Sequence, residues 1–253
     1  MPRVAVVTGA SSGIGASLAR LLAGRDWHCV LLARREDRLR SLADELGGEY
    51  ELCDVSDRAS VESAAERVVA RHPKVELLVN NAGIPGRASF LDADPDVVER
   101  VMRTNYLGSV WCLRAFLPAL EAAAPSHVVN VVSVAGRVAF PPSGPYSASK
   151  HAQLAFSRAT APQLRARGIS VHTVNPGFAE TEGFPQRGLP RPLRRLTVTP
   201  DAIAEHIVAS VEHGRGETTV PRYYAAASLI QALAPNLVTR LLARARTRTT
   251  IGR

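Results

Sequence analysis

Seven short β-branched runs alternate with longer stretches of helical period along this chain, and few folds accept such a pattern. The runs fall at 4–8, 29–33, 50–53, 75–80, 127–133, 170–175 and, more weakly, 218–221. The stretches between them are about 10–25 residues long and carry the 3.6-residue apolar spacing of helices. Strands joined through helices run parallel, because right-handed crossovers return the chain to the same end of the sheet and lay each helix on a face. The expectation is an α/β fold with a doubly wound, mainly parallel sheet of about seven strands, helices covering both faces. No repeat or linker divides 1–253, which reads as a single domain. The irregular stretch is 182–199, rich in Pro, Gly and Arg, and a lid over the strand carboxyl ends is expected there.

Composition excludes several classes. With 46% hydrophobic and 21% charged residues the chain is neither disordered nor a disulfide scaffold. It contains no apolar run of membrane-spanning length and no signal-peptide core, so a cytoplasmic protein is expected. Cys29, Cys53 and Cys112 lack the close spacing of a metal or redox motif and read as small buried hydrophobes, and no metal is expected. The formal charge of +8 is concentrated late: residues 187–253 hold eleven arginines against four acids, a net +7. With two lysines against 29 arginines and no nucleic-acid motif, that basicity does not imply nucleic-acid binding.

The first run leads into Gly9, Ala10, Ser11, Ser12, Gly13, Ile14 and Gly15 and then an amphipathic stretch. Such a strand–turn–helix offers backbone N–H groups and the positive end of a helix to a phosphate. The pattern is GxxxGxG, and alone it is equally a tight βα connection. About twenty positions beyond Gly13, where a carboxylate would meet an adenosine ribose 2′-hydroxyl, stands Ala33, followed by Arg34 and Arg35. Guanidinium bonds to a 2′-phosphate are worth about 1.5–3 kcal/mol, which favours NADP(H) over NAD(H).

Together with Asp54, Asn80-Asn81-Ala82-Gly83, Asn105, Ser133, Tyr146-Ser147-Ala148-Ser149-Lys150, Asn175-Pro176-Gly177 and Thr181, this chain resembles the short-chain dehydrogenase/reductase family over about residues 3–181. The resemblance implies a Rossmann-like oxidoreductase moving hydride between a nicotinamide and a carbonyl or secondary alcohol. It assigns Tyr146 as general acid/base, Lys150 as partner of Tyr146 and of the nicotinamide ribose, and Ser133 as donor to the substrate oxygen. Asn105, inside the helical stretch 95–120, would hold a proton-relaying water. Asp54 and Val55 would meet the adenine, Asn81, Ala82 and Gly83 the adenosine side, and Pro176, Gly177 and Thr181 the nicotinamide end. The chemistry is consistent: Tyr146 and Lys150 are four apart and share a helix face. One cation about 5 Å from a phenol, at an effective dielectric near 20, lowers its pKa by roughly two units. The plain alternatives are a surface tyrosine, a strand-end cap at Ser133 and a helix cap made by Asp54 with Asp57.

Val134, Ala135, Phe140, Pro141, Phe178 and Phe184 suggest an apolar substrate, and Arg187, Arg191, Arg194 and Arg195 in the lid suggest an anionic carrier, so reduction of a 3-oxoacyl thioester is a second expectation. A non-catalytic cofactor-binding or membrane-associated regulator is a third, disfavoured by the retained proton-transfer residues. Residues 223–253 form an extension with Leu229, Leu233, Leu237 and Leu241 at four-residue spacing, interrupted at Pro235 and ending in a basic tail. It is expected to pack on the body or a subunit interface, with peripheral membrane contact as the alternative. Pro162 is expected to kink its helix, and the family resemblance implies a homodimer or homotetramer through 94–120.

Overall fold

All seven expected strands form: β1 Arg3–Thr8, β2 Trp27–Ala33, β3 Glu49–Leu52, β4 Leu77–Asn80, β5 Ser126–Val131, β6 Ile169–Pro176 and β7 Glu217–Val220. This is a computed structural model, and it describes residues 2–139, 141–184, 196–240 and 243. The strands make one parallel sheet in the order β3-β2-β1-β4-β5-β6-β7. The boundaries shift by one or two residues; the largest differences are that β2 starts at Trp27, β4 starts at Leu77 and β5 stops at Val131. Val75 is buried but sits before the ladder begins, and Ser133 lies just beyond the ladder's end.

Period-two alternation between two covered faces explains why the central strands are apolar on both sides. Ala5 and Val7 point into one core with Leu18, Leu39, Ile203 and Ile207, while Val4 and Val6 point into a second with Val61, Val68, Phe116 and Leu164. The first core is covered by α1 (Gly13–Ala23), α2 (Glu36–Leu46) and α7 (Pro200–Glu212). The second is covered by α3 (Arg58–Arg71), α5 (Gly108–Ala122) and α6 (Gly144–Arg165). Helix α4 (Pro95–Met102) continues into α5 through a π-helical segment, Arg103–Leu107, which carries Asn105. Helix α6 runs through Pro162 to Arg165 without interruption. The three cysteines are buried and unpaired, with burial pushing the Cys29 thiol up to about 12 and that of Cys53 up to about 11. Among the described residues no helix is long and apolar enough to cross a membrane.

The strand order reverses direction at β1, between β2 and β4, which opens a crevice at the carboxyl ends of these strands. The C-terminal extension starts with α8 (Tyr224–Leu233), leaves helical geometry at Ala234 and is helical again at 235–240. The break is where Pro235 placed it. Leu229, Ile230, Leu233 and Leu237 are exposed on it. Leu241, the tail arginines Arg244, Arg246 and Arg248, Phe140 and the lid arginines lie outside the described residues.

Candidate active site

A cleft of about 900 Å³ opens at the strand carboxyl ends and gathers Gly9, Ser11, Ser12, Gly13, Ile14, Arg34, Arg35, Asp54, Val55, Asn81, Ala82, Gly83, Ser133, Tyr146, Lys150, Pro176, Gly177 and Thr181. Of the residues expected to be catalytic or cofactor-binding, Gly15 and Asn105 are the two not on its walls. Gly15 lies beneath the turn, where a Cβ would stand 2.4 Å from the Gly9 carbonyl oxygen. Asn105 is wholly buried behind Gly83.

The glycine turn is held by side chains from the next strand. Thr8 Oγ1 accepts from the Asn81 and Ala82 backbone N–H groups at 3.0 and 3.1 Å, and Asn81 Nδ2 donates to the Thr8 carbonyl at 2.9 Å. Gly9 and Gly13 have φ of +65° and +55°, a region that side chains enter only with strain. Helix α1 has no side-chain cap and no acid in its first turn. The Ser12 hydroxyl that could have capped it instead accepts from Arg35 Nη2 at 2.6 Å. Arg35 also donates to Ser11 Oγ, from Nη2 at 3.0 Å and Nε at 3.1 Å. An uncapped helix start with positive-φ glycines fits a diphosphate, and a guanidinium seated on two hydroxyls fits a further phosphate group.

Arg34 is exposed and lies 3.7 Å from Asp54 Oδ2. Asp54 Oδ1 is occupied by the Ser56 N–H and hydroxyl at 2.9 and 2.7 Å. Burial would raise the Asp54 carboxyl, but the Ser56 bonds and Arg34 hold it below the ordinary range. Asp57, not Asp54, caps α3, accepting from Ala59 N–H.

Two residues of this region were not seen in the sequence. Glu182, at the start of the lid, takes Arg35 Nη1 at 3.2 and 3.3 Å and pairs with Arg38 as well. Its carboxyl is held below the usual range, chiefly by Arg38 and then by Arg35. Tyr224 of α8 packs against Gly177, where a Cβ would fall 2.1 Å from its ring, so the C-terminal extension abuts a residue of the cleft wall.

At the other end, Ser133 follows β5 and caps a short 3₁₀ turn, accepting from Ala135 N–H at 3.1 Å. The strand-end cap is thus real; Ser133 Oγ also donates to the Pro176 carbonyl at 3.5 Å, and Ser133 and Tyr146 both line the cleft. Tyr146 sits in the first turn of α6, one turn from Lys150, with its ring 5.4 Å from that of Phe184. Lys150 Nζ is buried, donates to the Val131 carbonyl at 3.0 Å and Gln153 Oε1 at 2.8 Å, and lies 5.9 Å from the Tyr146 ring centroid. Asn105 spans three elements: Oδ1 accepts from Ile84 N–H at 2.8 Å, and Nδ2 donates to the Ile84 carbonyl and Ser149 Oγ, both at 3.0 Å. The π segment thus presents an amide that fixes the loop after β4 against α6.

The electrostatics differ from the expectation that Lys150 lowers Tyr146. Burial pushes the phenol up to about 12, opposed by Ser133, and pushes the Lys150 ammonium down to about 7. For both groups desolvation is the largest effect. A pH dependence follows. Between about 7 and 10.5 the unfolded chain binds a proton at Lys150 that the folded chain has released, so stability rises with pH across that window. The slope from this one group is at most about 1.4 kcal/mol per pH unit. Lys150→Met is expected to remove this rise, measured as Tm against pH for both proteins without cofactor; parallel curves would contradict it.

Four of the six expected substrate-pocket residues, Val134, Ala135, Phe178 and Phe184, line the cleft; Pro142 does so in place of Pro141.

Comparison with known proteins agrees with this fold. The family model for short chain dehydrogenases matches residues 3–189. A dehydrogenase/reductase SDR family member 7B of Xenopus laevis is 36% identical over 189 residues, which are 70% of this chain and 58% of that protein. The chain therefore spans a little over half the length of that relative. A protein of Streptomyces virginiae assigned to the monensin polyketide synthase as a ketoacyl reductase is 36% identical over 225 residues, 85% of each chain. Among solved structures, a Burkholderia phymatum enzyme of the same type in complex with NAD has a TM-score of 0.83 at 26% identity, covering 93% of this chain and 95% of that one. One from Burkholderia cenocepacia in complex with NADP has a TM-score of 0.81 at 28% identity, covering 95% and 97%.

Proposed function

The chain belongs to the short-chain dehydrogenase family, and from that premise we propose an NADP(H)-dependent oxidoreductase that moves hydride between the nicotinamide and an apolar carbonyl or secondary alcohol. The observation that carries this reading is one cleft with Ser133, Tyr146 and Lys150 on its walls at one end and Arg35, seated on Ser11 and Ser12, at the other.

Bound NADP(H) would supply the hydride chemistry, which the protein's own groups do not contain. The α1 start and the glycine turn would hold the diphosphate, and Arg35 the 2′-phosphate, with Arg34 and Arg38 beside it. Ser133 and Tyr146 would both donate to the substrate oxygen, fixing the carbonyl and stabilising the charge that grows on it. Tyr146 would then give up its proton to that oxygen as general acid, and take it back in the oxidative direction. A phenol held up to about 12 keeps that proton at neutral pH. Lys150 would serve the phenol and the nicotinamide ribose. Asn105 would hold the loop after β4 in place and reach Lys150 through a water beside Gly83. The test is NADPH oxidation with a panel of apolar ketones and aldehydes. Turnover with NADPH supports the reading, and absence of turnover across the panel and with thioesters counts against it.

A 3-oxoacyl thioester is the second substrate class, supported by the ketoacyl reductase relative; turnover of an acetoacetyl thioester at rates above those of simple ketones selects it. A homodimer or homotetramer through α4–α5, a cytoplasmic location and peripheral membrane contact through α8 are part of the same proposal, and the exposed leucines of α8 suit either a protein or a lipid surface.

Glu182 stands where the 2′-phosphate would go, since both occupy Arg35. Replacing Glu182 by Gln is expected to tighten NADPH binding about 2–10-fold and to leave NADH within about 2-fold. Equal changes for the two nucleotides in a fluorescence titration would refute the competition.

A further inference from the structure

At the end of the sheet away from the cleft, three ligand-bearing side chains from three elements meet. His28 is the second residue of β2, Glu49 the first of β3, and His72 closes α3. Both imidazole Nε2 atoms reach the same carboxylate oxygen, Glu49 Oε1, at 3.1 Å from His28 and 2.9 Å from His72. All three ligand atoms lie within 4.8 Å of one another, and the rings are 5.1 Å apart. We propose that His28, Glu49 and His72 form a binding site for a divalent transition-metal ion of the zinc class, with water completing the coordination.

Zinc with bonds of about 2.0–2.1 Å to His nitrogen and carboxylate oxygen has ligand atoms about 3.3–3.4 Å apart along a tetrahedron edge. Two of the three edges are therefore nearly built, and an ion needs an opening of less than about half an ångström along each. Two imidazoles and one carboxylate suit zinc or cobalt and not the oxygen cages of calcium and magnesium. The Glu49 carboxylate is held by Arg71 as well as facing both histidines. Its second oxygen accepts from Arg71 Nε at 2.8 Å, which orients the group and leaves Oε1 to the site. The Arg71 charge is matched by Glu51 as well, at 2.8 Å, and Glu51 pairs with Arg67 on its other oxygen. An ion here would pin the end of α3 to the edge strand β3 and to β2, a structural role remote from the cleft. The ligands are 21 and 23 residues from the shared glutamate, a spacing no short motif covers.

The test uses untagged protein stripped with a chelator and dialysed. Zinc chloride is expected to bind one to one by calorimetry and, at about 100 times its Kd, to raise Tm by roughly 5–10 °C. Magnesium chloride is expected to leave Tm unchanged. Cobalt(II) is expected to give the intense visible absorption of a low-symmetry, nitrogen-ligated site. His28→Gln and His72→Gln are each expected to weaken zinc binding at least about 10-fold. Cooperative unfolding of the metal-free variants shows that they are folded, and the cobalt spectrum reads the site in the unmutated protein. No saturable binding by the unmutated protein, or binding unchanged in both variants, overturns the proposal.

Discussion

Tyr146→Phe is expected to lower kcat by about 10²–10⁴-fold while NADPH binding stays within about 3-fold. The variant removes one oxygen. The ring remains in the first turn of α6, tilted against Phe184 and 5.9 Å from Lys150 Nζ, so the walls of the cleft keep their shape. What disappears is the donor that would protonate the substrate oxygen. Ser133 can still orient and polarise a carbonyl, which sets the residual rate. The loss should therefore fall on kcat more than on KM. Steady-state rates with NADPH, beside a titration of NADPH itself, separate the two effects. A variant that keeps more than about a tenth of its activity would remove Tyr146 from the general-acid role.

Arg35→Ala carries the second large effect, an expected loss of about 10–150-fold in NADPH affinity with little change for NADH. The guanidinium is placed before any ligand arrives, because Ser11 and Ser12 hold three of its contacts and Glu182 two more. Such preorganisation leaves less rotamer entropy to lose on binding. The substitution removes the charge that answers the 2′-phosphate and leaves α1 and the glycine turn, which serve both nucleotides alike. Arg34, exposed and near Asp54, and Arg38, paired with Glu182, would supply weaker attraction, so Arg34→Ala and Arg38→Ala should each cost less. Equal loss for NADPH and NADH would mean that Arg35 supports the turn and does not read the phosphate.

The sheet was legible because its central strands are buried on both faces, which makes them continuous apolar runs, as 4–7 and 77–79 show. The helices between were legible from their spacing, and the cleft from the rule that parallel strands present their carboxyl ends at one place. Tyr146 and Lys150 were visible as a pair because they share one helix turn. Other features arise only from packing. Glu182 meets Arg35 across 147 residues and Arg38 across 144, and nothing local marks a lid glutamate as their partner. The π segment at Asn105 depends on bonds to Ile84 and Ser149, which lie in other elements. The Tyr224 ring against Gly177 joins the extension to the cleft wall and cannot be read from either neighbourhood alone. The inverted electrostatics of Tyr146 and Lys150 have the same origin. Spacing showed that the two are neighbours, but only the folded chain shows how completely water is removed from Lys150.

The central claim is that one cleft binds a 2′-phosphorylated nicotinamide nucleotide, and side-by-side equilibrium titrations of NADPH and NADH test it most directly. The account predicts saturable binding of both, with NADPH tighter by at least about 10-fold. Equal or tighter binding of NADH, or binding of neither, would contradict it.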